Sequence, residues 1–370
     1  MTTLFVFLAL LCTSQCLLQC RDERNKPVDW CVIYKLPRIK TSSNSLIRKG
    51  VAYAYITSSN ISRGWAISDL SINDTKSVPG RILQPLYNSS HMFRVNSLLW
   101  VLYNDQAPDK TYRSELGHTK GVVMAEADKG FWLVHSVPHF PPLPDNVTNS
   151  TTKFHSNGYS YPLTGRHYGQ SFLCVSLNTS QLDLVGIQLT YNEPFIYGSN
   201  IPVSLESNFP HLIAATRNER VKVAPWFHQQ EIISLAGQTF YSFAKAGKFD
   251  KELYFDWVAP ALQTSLLVET WRNGRGKLPS SCNSTFMVEN ISSVSLNAGN
   301  INFKSTEDHS KWVTAYGDDN TTKYWVCIGD INRMKSQEKR GGGTVCVNHP
   351  KLWPEYIQIV SGTDPCPADV

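Results

Sequence analysis

The sequence predicts an α/β fold built as two related halves around one central site. Three observations lead there. Short segments rich in β-branched and aromatic residues recur along the chain between turn-forming residues, and two stretches of the second half carry helical spacing of apolar residues. A hydrophobic content of 42%, with 11% aromatics, gives 370 residues ample material for two domains or one large one and excludes disorder as the dominant state. A short pattern also occurs twice in the same context. His118-Thr119-Lys120 precedes the strand-like Phe131-Trp132-Leu133-Val134-His135-Ser136-Val137-Pro138, and His309-Ser310-Lys311 precedes Tyr324-Trp325-Val326-Cys327-Ile328-Gly329-Asp330-Ile331-Asn332-Arg333 at a similar interval. Composition alone supplies roughly half an H-x-K in such a chain, so the repeated context marks a divergent duplication where the tripeptide would not.

Taken in order, residues 1–16 are uncharged and run apolar from Leu4 to Leu11, too short to span a bilayer. They read as a secretory signal peptide lacking the usual basic start, with Ser14 and Cys16 suited to the cleavage positions. The mature chain then divides into 17–203, bearing the first H-x-K, and 204–370, bearing the second, together one bilobal domain. Residues 28–37, 51–57 and 97–103 read as strands. Residues 118–126 and 131–137 form a hairpin about Asp128-Lys129-Gly130, followed by a polar loop to about Ser160. Residues 168–177 and 184–191 read as further strands before a proline-punctuated connection at 193–202. Helical spacing marks 205–218 and 250–262, 238–246 reads as another helix, and 266–271 and 301–303 as short strands.

In an extended strand, residues i and i+2 share a face, so each H-x-K presents an imidazole and an ammonium together. The ammonium neutralises phosphoryl oxygens and favours the neutral, nucleophilic form of its neighbour, while a second, protonated histidine can donate to a departing oxygen. Two facing pairs therefore supply nucleophile, acid and charge clamp for phosphodiester chemistry without a metal or other cofactor. His135 stands on the strand beside Lys120, and Asp308, Glu307, Asp330 and Asn332 are candidates to orient the imidazoles. Other constellations are weaker. His135 and His139 have metal-ligand spacing, but Pro138 disfavours the helix that would align them. Ser242-Phe243-Ala244-Lys245 matches S-x-x-K without its companion motifs. Gly341-Gly342-Gly343-Thr344 is not a P-loop and reads as a flexible loop.

Nine N-x-[ST] sequons, at Asn60, Asn73, Asn88, Asn146, Asn149, Asn178, Asn283, Asn290 and Asn320, mark surface loops of a lumenal protein. Beyond the signal lie seven cysteines without zinc-site spacing, which fits disulfides in an oxidising compartment with one thiol left over. The formal charge of +5 counts ten histidines as neutral and would rise in an acidic lumen, favouring a polyanionic substrate.

Over nearly the whole mature chain the sequence resembles the deoxyribonuclease II family of acid endonucleases. Pro27-Val28-Asp29-Trp30, Tyr34-Lys35-Leu36-Pro37, Leu102-Tyr103-Asn104-Asp105, Gly117-His118-Thr119-Lys120-Gly121, the Phe131 to Pro138 segment quoted above, Glu307-Asp308-His309-Ser310-Lys311-Trp312 and Gly329-Asp330-Ile331-Asn332-Arg333 carry the resemblance. It implies a phospholipase D-like fold, with two pseudo-symmetric α/β halves of mixed sheet flanked by helices and H-x-K motifs meeting at the centre. The implied activity is metal-independent hydrolysis of DNA through a phosphohistidine, leaving 3′-phosphate and 5′-hydroxyl ends. The setting would be lysosomal or extracellular DNA degradation, including that of dying cells, by a monomer or homodimer without a membrane span. His309 with Lys311 is then the essential catalytic pair and His118 with Lys120 the reciprocal acid/base, either histidine being able to attack. His135, Asp330 and Asn332 would support them or bind phosphate. The resemblance further implies disulfides Cys20 with Cys174, Cys282 with Cys366 and Cys327 with Cys346, leaving Cys31 as a buried thiol. Segments resembling both the alpha and the beta branch occur. The alternatives are a related phosphodiesterase acting on lipid or another polyanion, and a non-catalytic nucleic-acid-binding glycoprotein.

Overall fold

The structure, a computed structural model, describes residues 18–88, 90–144, 158–317, 323–364 and 366. The expected signal segment, the greater part of the polar loop and the sequons at Asn146, Asn149 and Asn320 lie outside these residues.

Two large sheets form the body. The first contains β1 (Trp30–Lys35), β2 (Tyr53–Thr57), β3 (Ala66–Ile67), β4 (Leu99–Asn104), β5 (Lys120–Ala125), β6 (Lys129–His135), β7 (Gln170–Asn178) and β8 (Ile196–Asn200), in the order β3-β2-β1-β7-β6-β5-β4-β8. The second contains β9 (Phe227–Ile233), β10 (Thr239–Lys245), β11 (Ser265–Glu269), β12 (Val288–Leu296), β13 (Ile301–Lys304), β14 (Trp312–Tyr316), β15 (Trp325–Gly329), β16 (Gly342–Asn348) and β17 (Val360–Asp364). Its order is β13-β12-β11-β14-β15-β16-β10-β9, with β17 paired to β12. Each H-x-K leads into a central strand: β5 lies between β4 and β6, and β14 between β11 and β15, antiparallel on both sides.

The central strands are apolar on both faces because both faces are covered. Along β4, Leu99, Val101 and Tyr103 enter one core while Trp100 and Leu102 enter another. The first core is common to the two sheets: Val32, Val123, Trp132 and Val134 pack in the same cluster as Trp312, Val326, Ile328 and Val345. At roughly 1.5–3 kcal/mol per fully buried aliphatic or aromatic side chain, this common core is the main stabiliser of one sheet against the other. Backbone bonds add to it. Gly169 N donates to Glu307 O and His309 N donates to Gly169 O, so the second H-x-K continues the edge of the strand that begins at Gln170.

Most predicted strands are present. Residues 184–191, read as a strand, instead belong to the helix Thr179–Asn192, which buries Leu182, Val185, Gly186 and Leu189 at helical spacing and packs against strands of both sheets. Asn178 caps it, its side chain accepting from Gln181 N. Residues 238–246, read as a helix, contain β10, whose alternating Phe240/Tyr241/Ser242/Phe243 pattern matches a strand's period of two. The Gly341-Gly342-Gly343-Thr344 stretch is no flexible loop: Gly342 opens β16, and a Cβ on Gly343 would lie 2.0 Å from Phe243 O, so only glycine admits the neighbouring strand. Residues 205–218 form a 3₁₀ turn, Val203–Asn208, and the helix Pro210–Thr216, while 250–262 form a π-helical turn, Tyr254–Val258, running into Ala259–Leu262.

Disulfides join Cys20 to Cys174, Cys282 to Cys366 and Cys327 to Cys346. Cys31 is free and buried, directly opposite Cys174 in the β1–β7 register, and burial pushes its thiol up to about 12. Among the sequons, Asn73, Asn178 and Asn283 are exposed. Asn290 is the exception to the expected surface placement. It is 1% exposed, its Oδ1 accepts from Arg333 Nη1 at 2.7 Å and its Nδ2 donates to Leu278 O at 3.1 Å, leaving no amide for a glycan. No helix among the described residues is long and apolar enough to cross a membrane.

Candidate active site

His118 ends the approach to β5, and Lys120 is that strand's first residue. The backbone there is held by the other sheet's segment: His118 N donates to Gly341 O at 2.8 Å, and His118 Nδ1 donates to Asp330 O at 2.5 Å. A carbonyl can only accept, so Nδ1 carries the proton and Nε2 keeps its lone pair in the neutral ring. Lys120 Nζ bonds Asp105 Oδ1, and Arg340 Nη2 bonds the same carboxylate's Oδ2 at 3.0 Å. One buried carboxylate at the end of β4 thus holds an ammonium from its own sheet and a guanidinium from the loop before β16. Burial raises the Asp105 pKa, but Lys120 and Arg340 outweigh it and leave the carboxyl below its ordinary value.

His309 and Lys311 lie beside Gln170, Ser171 and Trp271. Ser171 Oγ accepts from Lys311 N at 3.0 Å, and Lys311 Nζ donates to His309 O at 2.6 Å. His309 Nδ1 is 3.1 Å from both Gln170 Oε1 and Lys311 Nζ, an acceptor and a donor that favour opposite tautomers. Trp271 packs edge-on against the imidazole, with ring centroids 5.2 Å apart.

The electrostatics couple the two pairs. Burial foremost, then the charges of Lys120, Arg340 and Lys311, hold His118 well below the usual histidine range. His309 is held well below it by burial, Lys311, Lys120 and His118. Lys311 is lowered by burial and by Lys120. Lys120 and Lys311 thus act on both imidazoles, while the Asp105 carboxylate is bonded to Lys120 and Arg340, an arrangement of positive charge that a phosphodiester anion would relieve.

The predicted supporting residues divide. Asp330 belongs to this centre: its carbonyl holds His118, its Oδ1 accepts from Gly343 N at 2.9 Å, and burial lifts its carboxyl to about 6. Asp308 lies fully buried behind His309, bonded by Tyr34 Oη of β1 and by Ser310 Oγ and N. Asn332 acts one step removed, its Oδ1 accepting from the backbone N of Trp271 at 3.2 Å. Glu307 turns away to accept from Lys304 N and cap the 3₁₀ turn Ser305–Glu307. His135 sits in an aromatic cluster with Phe140 and Phe172, its Nδ1 accepting from Val137 N and its buried Nε2 without a hydrogen-bond partner. His139 is on an irregular segment and bonds Ala107 O. Ser242 and Lys245, three apart on β10, point to opposite faces; Lys245 Nζ donates to the carbonyls of Gln337, Glu338 and Arg340. Sequence reasoning did not single out Asp105 and Arg340, which meet at Lys120, or Gln170 and Trp271, which contact His309. Among the described residues no group of three or more His, Cys, Asp or Glu is placed to hold a metal ion.

The deoxyribonuclease II family model matches residues 19–366. The chain is similar to deoxyribonuclease-2-alpha of Mus musculus, 38% identical with 97% of this chain and 96% of that protein covered. It is 34% identical to deoxyribonuclease-2-beta of Homo sapiens, over 94% of this chain and 92% of that protein. It is 33% identical to cell death-related nuclease 6 of Caenorhabditis elegans, with 98% and 93% covered. A family model spanning the chain and relatives matched over almost their full lengths lead to one conclusion: this chain belongs to the deoxyribonuclease II family.

Proposed function

We propose that this protein is an acid endodeoxyribonuclease whose two H-x-K pairs form one active centre between pseudo-symmetric, phospholipase D-like halves, residues 17–203 and 204–370. Family membership supports DNA hydrolysis. The observation that carries the mechanism is the proton assignment at His118: with Nδ1–H tied to Asp330 O, Nε2 is the free nucleophilic nitrogen. Burial and the charges of Lys120, Arg340 and Lys311 favour its neutral ring.

In the first step His118 Nε2 attacks phosphorus, the N–P bond forms and the P–O5′ bond breaks. His309, acting in its protonated form, gives its Nε2 proton to the departing O5′ while Gln170 Oε1 holds Nδ1–H. Lys311 and Lys120 neutralise the non-bridging oxygens. Water then attacks phosphorus, His309 takes its proton, and the N–P bond breaks to restore His118. The ends are a 3′-phosphate and a 5′-hydroxyl. No step requires a metal or other cofactor, and the sequons, disulfides and apolar leader support a lysosomal or secreted location, with degradation of DNA, including that of dying cells, as the role.

Plasmid cleavage at pH 5 in excess EDTA tests the reading. Wild type should cut, and His118→Ala and His309→Ala should not. Cleavage that depends on added metal, or full activity in either variant, refutes the mechanism. Assaying phospholipid vesicles alongside DNA separates the nuclease from a lipid phosphodiesterase, and DNA binding without turnover would mark a silent binder.

A further inference from the structure

Away from the catalytic centre, a cavity of about 470 Å³ is lined by Arg38, Arg48, Lys49, Leu163, Arg166 and His167. Its walls are fixed by the backbone. The helix Ser45–Lys49 ends at Gly50 in the left-handed region (φ 68°), where a Cβ would lie 2.1 Å from Arg166 O, so only glycine brings the basic last turn against the Arg166 backbone. Arg38 N donates to His167 O, and Arg38 Nε to Arg48 O, fixing the opposite wall. Behind it the buried Lys35 Nζ donates to Arg166 O at 2.9 Å.

Two features point to an anion here. None of the lining cations is in an ion pair among the described residues, and the buried Arg166 Nε has no hydrogen-bond partner. A continuous aromatic path also joins the cavity to the catalytic centre. His309 meets Trp271 at 5.2 Å, Trp271 meets Tyr168 at 4.5 Å and Tyr168 meets His167 at 4.4 Å, centroid to centroid. The rings meet edge to face, at 65°, 79° and 82° between their planes, and so form a continuous aromatic wall from one site to the other.

We infer that this cavity is a phosphate subsite for the strand flanking the scissile bond, reached along Trp271 and Tyr168. The inference rests on the DNA-nuclease reading above. Three ring-to-ring steps cover no more than about four nucleotide rises of ~3.4 Å, which sets the reach of the subsite. Substrates extending further than this past the scissile phosphate on the occupied side engage it, and shorter ones do not.

The test compares wild type with Arg48→Glu/Lys49→Glu and, as a milder pair, Arg48→Gln/Lys49→Gln. Substrates are single-stranded oligonucleotides extended stepwise on the 5′ or the 3′ side, and bis(p-nitrophenyl) phosphate, which has no flank. The charge reversals should raise KM about tenfold on long oligonucleotides, leave kcat near wild type and leave the small diester unaffected. The slope of log KM against log salt should fall by about 0.7 for each phosphate that the variant no longer neutralises. Equal KM values for wild type and both variants on long oligonucleotides overturn the subsite. Equal losses on the small diester in a variant with wild-type melting temperature overturn it too, by placing these cations in the catalytic step. If wild type turns over the small diester but no DNA, the nuclease reading itself has failed; if it cleaves DNA and the variants match it, only the subsite has.

Discussion

Asp105→Asn is the most informative single change at the centre. The carboxylate is 0% exposed and bonds both Lys120 Nζ and Arg340 Nη2, so the amide would leave the buried Lys120 and the partly buried Arg340 without their counter-charge. Breaking a buried pair from one side costs about 3–5 kcal/mol, because the stranded charge stays desolvated. For about 330 described residues the unfolding entropy is ~0.7 kcal/mol/K, so the expected fall in melting temperature is about 4–7 °C. The sign of the pH dependence is also set. The pKa of Asp105 is depressed in the fold, so its contribution is complete above the unfolded value and is lost only as pH falls through the lower folded value. Wild type should keep this contribution at pH 5, and the difference between wild type and Asp105→Asn should be the same at pH 5 and pH 7. Differential scanning calorimetry at both values measures it. Arg340→Met added to Asp105→Asn removes one stranded cation, so the double variant should be more stable than the sum of the single effects. A melting temperature unchanged by Asp105→Asn, or strict additivity in the double variant, would refute the three-group arrangement as a source of stability.

Three further outcomes follow from the same centre and its surroundings. With bis(p-nitrophenyl) phosphate, whose leaving group needs little protonation, His309→Ala should still release a first equivalent of nitrophenol although later turnover falls about 10²–10⁴-fold, while His118→Ala should release none; a burst from His118→Ala would exchange the two roles. Asp330, raised by burial to about 6, binds its proton more tightly in the fold than in the unfolded chain, so this group makes the protein more stable as pH falls from about 6 towards 4, by up to about 3 kcal/mol, and Asp330→Asn should flatten that limb of a melting-temperature profile. Peptide mapping by mass spectrometry should find glycan on exposed sequons such as Asn73 and Asn178 and none on Asn290, while Asn290→Gln should lower the melting temperature by disturbing Arg333; a glycan on Asn290 would contradict its burial.

The sequence disclosed the parts of this molecule whose signals are local. β5 and β6 could be read from their apolar runs and turn, and the two H-x-K pairs from their shared context. The helix Thr179–Asn192 was misread because Leu182, Val185, Gly186 and Leu189 are interleaved with Leu184 and Ile187, which blurs the period even though the Asn178 cap was there to be noticed. The glycine run at 341–343 looked loose because the reason for Gly343 is another strand's carbonyl, Phe243 O, far away in the sequence. Asp105 and Arg340 were missed for the same reason: their meeting spans 235 residues, and nothing near either announces it. Gln170 and Trp271 are likewise defined only by His309.

The Cys31–Cys174 register has a consequence for how the protein is made. In the oxidising lumen proposed for it, Cys20 and Cys31 emerge together, while Cys174 trails Cys20 by 154 residues. At roughly 5–20 residues per second, that delay is on the order of ten seconds or more. Any bridge that forms in that interval between Cys20 and Cys31 has to be exchanged for Cys174, with Cys31 as the displaced sulfur. Once β1 and β7 have paired, burial raises the Cys31 thiol to about 12 and starves that exchange of thiolate, so the final pairing is kept by the fold that it completes.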